Sequence, residues 1–146
     1  MNVWQQFLQN RLLVAALTAW AVAQVLKMLI NAITTKDWDW SRLMGDGGMP
    51  SGHSATVTAM ATASLMRYGF ASFQFAVTAV LAIVVMHDAM GVRLEAGKHA
   101  KSINELFLLI GRQTPPEEML QEFLGHTPLQ VGAGAVLGVV VALLMH

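Results

Sequence analysis

Residues 72–90 read SFQFAVTAVLAIVVMHDAM. Between Phe75 and Met86 the one polar side chain is Thr78. The stretch has neither the alternation of a half-buried strand nor the polar stripe of a surface helix, and it approaches the roughly 20 residues that carry a helix across a hydrocarbon core. Working outward, three further stretches read the same way: Leu12 to Ile33, Ser54 to Tyr68, and Pro128 to Met145. The first is interrupted by Thr18, Gln24, Lys27 and Asn31. The predicted architecture is therefore all-α: a single domain over residues 1–146, an integral membrane helical bundle of about four spans (12–33, 54–68, 72–90, 128–145) with added amphipathic interfacial helices.

Composition agrees. Charged residues make up 12% of the chain and apolar ones 55%, against roughly 25% charged in soluble domains. Nine basic and nine acidic residues cancel, which excludes a nucleic-acid binder held by bulk charge. There is no cysteine, hence no disulfide frame or thiolate metal site. Residues 1–10 lack a basic side chain, and the apolar run after Arg11 exceeds a signal-peptide core, so the first stretch is expected to be a retained span.

Stretches 54–68 and 128–145 are short and rich in small residues, including Ala55, Ala59, Ala63, Gly134 and Gly138. Such residues let helix backbones approach where lipid supplies no hydrophobic drive. These two helices are expected inside the bundle, with room for homo-oligomer contacts through the same faces. Two polar connections, 34–53 and 91–127, emerge on one side of a four-span bundle. The second is predicted to hold two helices, Glu95 to Arg112 and Glu117 to Leu124, the former with Ile103, Leu106, Phe107 and Ile110 as its apolar stripe. Lys36, Arg42, Arg93, Lys98, Lys101 and Arg112 fall on that side; Arg11 and Arg67 fall on the other. The positive-inside rule makes the first side cytoplasmic and both termini external.

The chemistry-bearing residues gather at that side. In Gly47-Gly48-Met49-Pro50-Ser51-Gly52-His53-Ser54, glycines free the backbone, a serine caps the next helix, and free N–H groups at a helix start attract an anion. Gly125-His126-Thr127-Pro128 repeats the arrangement, with Thr127 as N-cap and Pro128 as first helical residue. Two histidines at helix starts suit an acid and a nucleophile acting on phosphate. Lys27 and Arg93 are the expected cationic clamps, with Arg42, Lys98 and Lys101 as outer candidates and Asp88 as a partner for Arg93. Asp46, His53, His87, Asp88, His99 and His126 are possible metal ligands by type, but their spacing is irregular.

The strings G-G-M-P-S-G-H-S-A, D-A-M-G-V-R-L-E-A-G-K-H-A and L-G-H-T-P-L-Q-V-G-A-G together resemble the divergent membrane branch of the type 2 phosphatidic acid phosphatase superfamily, to which the vanadium-dependent haloperoxidases are also related. The resemblance implies phosphoester hydrolysis without a metal or other cofactor. It implies His126 as nucleophile, His53 as acid to the leaving group, Ser51 and Gly52 as phosphate ligands, and Lys27 with Arg42 as the first-motif cations. Arg93 stands for the family arginine, but about thirty residues before His126 rather than the family's short spacing. Gln130 replaces the family's orienting acid. An acid-to-amide change at an analogous position costs about four orders of magnitude in rate, and Asp88 and Glu122 are the carboxylates available to compensate.

Three functions follow as expectations: a phosphatase acting on a lipid phosphate or polyprenyl diphosphate through phosphohistidine; a catalytically weak lipid-phosphate binder or transporter on the same scaffold; or, least supported, a metal site.

Overall fold

The computed structural model describes residues 2–36, 38, 48–111, 115, 118–122 and 124–146. Its elements are α1 (Val3–Gln9), α2 (Arg11–Thr35), α3 (Gly52–Tyr68), α4 (Phe73–Met90), α5 (Val92–Leu109) and α6 (Pro128–Leu144). Most starts are set by side chains that accept an otherwise unpaired N–H. Asn2 accepts from Gln5, Asn10 from Leu13, Ser51 from Ser54, Ser72 from Phe75 and Thr127 from Gln130. At Gly91 the N–H donates to the His87 carbonyl at 2.9 Å, closing α4 where α5 begins.

Helix α3 lies at the centre, packed on α2, α4 and α6. The core is built largely of alanine: Ala19 and Ala23 of α2, Ala55 and Ala59 of α3, with Val141 and Ala142 of α6. Side chains this small bring the helix axes close. Nowhere is the approach tighter than between α3 and α6, which run parallel. A Cβ on Gly134 would fall on the Ser51 carbonyl oxygen and 3.0 Å from the Ser54 Cβ. One on Gly138 would meet Thr58 Oγ1, the Ala55 carbonyl and, at 2.9 Å, the Ala59 nitrogen. Two polar bonds fix the register: Ser51 N–H donates to the Gln130 carbonyl at 3.1 Å, and Thr58 Oγ1 donates to the Ala135 carbonyl at 3.2 Å. Helices α3 and α6 therefore begin at the same end of the bundle.

Two stretches, Arg11–Thr35 and Phe73–Leu109, are long and apolar enough to cross a membrane; Pro128–Leu144 is apolar but shorter. The expected helices over 12–33, 54–68, 72–90 and 128–145 appear as α2, α3, α4 and α6, each displaced by two residues or fewer at its ends. Helix α1, capped by Asn2, was not expected.

In the 91–127 connection one expected element, the helix over Glu117–Leu124, needs correction. The buried face of α5 is Gly97, Ala100 and Asn104, whereas Ile103, Leu106 and Ile110 are exposed. The apolar stripe thus faces outward, and the small residues face the protein. The described part of Glu117–Leu124 is not α-helical. Its backbone is claimed by α5: Asn104 Oδ1 accepts the Leu120 N–H at 3.1 Å, and Asn104 Nδ2 donates to the Leu120 carbonyl at 2.9 Å. A side-chain amide offering a donor and an acceptor to one peptide outcompetes the helix bonds that peptide would otherwise make.

Gly138→Val is expected to destabilise the protein by about 3 kcal/mol, because the branched side chain meets α3 backbone that cannot yield. Gly132→Ala, which meets nothing within 4 Å, is expected to change stability by no more than about 1 kcal/mol. Thermal unfolding of both variants in a mild detergent checks the contrast.

Candidate anion site at the paired starts of α3 and α6

The joined starts of α3 and α6 carry the two histidines. His53 is the second residue of α3 and is half-buried; His126 stands just before the Thr127 cap of α6 and is 2% exposed. Their ring centroids lie 5.9 Å apart with planes tilted by 59°. Ser51, fully buried, caps α3 with its hydroxyl, which also accepts from Ser54 Oγ at 3.1 Å. Two helix starts, with their positive dipole ends, are thus brought side by side.

Helix α2 brings Lys27 to this end. It is 5% exposed, an unusual state for lysine. Its stem packs on the loop before α3: a Cβ on Gly48 would lie 3.2 Å from Lys27 Cγ. Gly48 also has φ +94°, a conformation that favours glycine. The adjoining Met49–Pro50 bond is cis. One turn before Lys27, buried Gln24 sets its Oε1 3.6 Å from the Cβ position of Gly52. Gln24 was not singled out in the sequence, although an amide three residues from a lysine inside an apolar stretch is the pattern that marks a shared polar face.

The chain returning toward α6 lies along α5 and the α4–α5 joint. Beyond Asn104, the Glu122 and Leu124 carbonyls sit 2.6 Å and 2.9 Å from where a Gly97 Cβ would stand. Gly125, at φ +79°, presses its backbone on Arg93 and Leu94, with 2.6 Å from its Cβ position to Leu94 Cα. His126 N–H then donates to the Ala89 carbonyl at 2.9 Å. These contacts bring the Arg93 main chain against the residue beside His126. The Arg93 side chain pairs with Asp88, Nε to Oδ2 at 2.8 Å, both about 40–45% exposed. Glu122 Oε1 accepts from Asn104 Nδ2 at 2.9 Å.

The Gln130 side-chain oxygen accepts the Thr127 N–H at 2.9 Å, completing a capping box. Lys98 pairs with Glu95 at 2.6 Å on the exposed side of α5 and is not gathered into the histidine cluster by any of these contacts. Arg42 and Asp46 lie outside the described residues. Among the described residues, no group of three or more His, Asp or Glu could hold a metal ion.

Comparison with known proteins places the chain in a family. The family model described as "Divergent PAP2 family" matches residues 8–141. The chain belongs to that family. It is 37% identical to the "Uncharacterized membrane protein YuiD" of Bacillus subtilis (strain 168), with 96% of each chain covered. No solved structure matches. The matched region takes in α2 to α6 almost entirely, including both histidine-bearing helix starts and the docked return.

Asn104→Leu removes the three bonds that the Asn104 side chain makes to the return and is expected to cost about 2 kcal/mol. Asn104→Asp keeps an acceptor for the Leu120 N–H but turns a buried carboxylate oxygen on the Leu120 carbonyl and the Glu122 carboxylate, and should be no more stable than Asn104→Leu. Unfolding midpoints of the two variants test the order.

Proposed function

We propose that this chain is a membrane phosphatase acting on a lipid phosphate or polyprenyl diphosphate, with α2, α3, α4 and α6 crossing the bilayer and the histidine pair at one face. The observation that carries the reading is the 5.9 Å separation of the His53 and His126 rings at the joined starts of two helices, beside buried Lys27. Length supports the four crossings. At 1.5 Å per residue the 17 residues of α3 and of α6 reach roughly 26 Å, at the short end of what a span needs. The predominance of basic residues on the histidine side favours a cytoplasmic site.

In this mechanism a nitrogen of neutral His126 attacks phosphorus, and the bond to the leaving oxygen breaks as His53 gives that oxygen its proton. Water then attacks the phosphohistidine, its proton passing to His53, and releases inorganic phosphate with His126 restored. Lys27 and the N–H groups at the start of α3 neutralise the equatorial oxygens, with Ser51 and Gly52 shaping that cradle. Arg93 joins when its exposed bond to Asp88, worth about 0–1 kcal/mol, is exchanged for phosphate. Arg42 and Lys98 are assigned to the approach of the substrate headgroup.

A second reading, a lipid-phosphate binder or carrier with little turnover, is favoured by one specific observation. The Gln130 oxygen serves the α6 capping box, and an amide cannot stabilise an imidazolium as a carboxylate does.

Phosphate release from a panel of lipid phosphates and prenyl diphosphates is expected from the purified protein and should fall at least about a thousandfold in His126→Ala, the scale for losing a nucleophile. No turnover across the panel by the wild type would end the phosphatase reading. Gln130→Glu is expected to raise turnover if the missing carboxylate limits the rate. A wild type already as fast as Gln130→Glu would remove the case for the binder.

A further inference from the structure

The opposite end of the same helices holds a second cationic feature. Arg11 opens α2, Arg67 lies in the last turn of α3, and His146 follows α6; with Ala15, Ala63 and Ala142 they line a cavity of about 230 Å³. The alanines make an apolar floor, and Ala15 and Ala142 are each 2% exposed. Among the described residues lining it, none is acidic. Arg11 Nη1 donates to the Met145 carbonyl at 3.1 Å, which holds one edge of the guanidinium against α6 and leaves its remaining donors for other acceptors. Arg67 Cζ lies 5.8 Å from the Tyr68 ring centroid. The cations thus arrive from separate helices and are held by packing on their own surroundings.

The depth of this cavity is marked by aromatic side chains. Trp4, Tyr68, Phe70 and Phe73 are all exposed around this end, and aromatic residues gather where a bilayer meets water. Headgroup phosphates lie at that level. Arg11 and Lys27 are 16 residues apart on α2, roughly 24 Å at 1.5 Å per residue, so no single phosphate reaches both ends.

We propose that Arg11 and Arg67 form a binding site for the phosphate of an anionic phospholipid headgroup in the leaflet opposite the histidine pair, with the alanine-floored cavity receiving the headgroup. Guanidinium is suited to this task because it presents several donors to phosphate oxygens and keeps its charge. The inference uses the membrane placement proposed above but none of the histidine chemistry.

The test is native mass spectrometry of the purified full chain with phosphatidylglycerol, phosphatidylcholine or inorganic phosphate added. Phosphatidylglycerol is expected to be retained over phosphatidylcholine. Retention should drop about tenfold in Arg11→Gln/Arg67→Gln, as for the loss of charge-assisted hydrogen bonds. Ala63→Leu, which fills the cavity and leaves both arginines in place, should show a similar drop. His126→Ala should retain phosphatidylglycerol as wild type does, whatever its phosphatase activity. Wild-type retention in both the double-arginine and Ala63→Leu proteins would overturn the proposal. So would equal retention of phosphatidylcholine, or a loss that appears in His126→Ala instead. Displacement of the lipid by millimolar inorganic phosphate, without dependence on acyl chains, would reassign the site to free phosphate.

Discussion

The close approach of α3 and α6 is the contact on which the rest depends. In a lipid environment helices gain little by hiding apolar surface from one another, so association is decided by how well the surfaces fit and by the polar bonds that cross. Gly134 and Gly138 remove the side chains that would hold the backbones apart. The Ser51 and Gln130 backbones then bond directly. Because the helices are parallel, their starts arrive together, and two positive dipole ends with two imidazoles arrive with them. The joined helix ends follow from that packing, while the charge of Lys27 is brought by α2.

A second layer of organisation comes from the return after α5. It is tied by Asn104, seated on Gly97, and ends with Gly125 on the Arg93–Leu94 backbone and His126 on the Ala89 carbonyl. His126 is thereby positioned from two sides, by the α4–α5 joint before it and by the α6 cap after it. Arg93 is held near it through the main chain while its guanidinium rests on an exposed carboxylate.

The helices were readable because each is written twice, in an apolar stretch and in a cap. Ser51, Ser72 and Thr127 stand where the starts are found. The meeting of Lys27, His53 and His126 at one end was readable from helix count and direction. What the sequence concealed lies in α5 and the return. The stripe of Ile103, Leu106 and Ile110 marks the apolar face of α5 but not the face it packs on, which is Gly97, Ala100 and Asn104. Asn104 looks like an ordinary polar residue of an amphipathic helix; its role appears only when the distant Leu120 peptide is brought to it. Gln24 was visible as an interruption of an apolar run, but its placement against Gly52 depends on the packing of α2 on α3.

The docking of Gly125 on Arg93 has a further consequence. In a motif held within one short peptide, the distance between cation and imidazole is a matter of counting residues, and a single insertion ruins it. Here the Arg93 main chain is brought to the residue beside His126 by seating one surface on another. The tether joining them can therefore lengthen or shorten between homologous chains without disturbing the geometry, and a search that demands a fixed interval would pass over proteins built on the same plan.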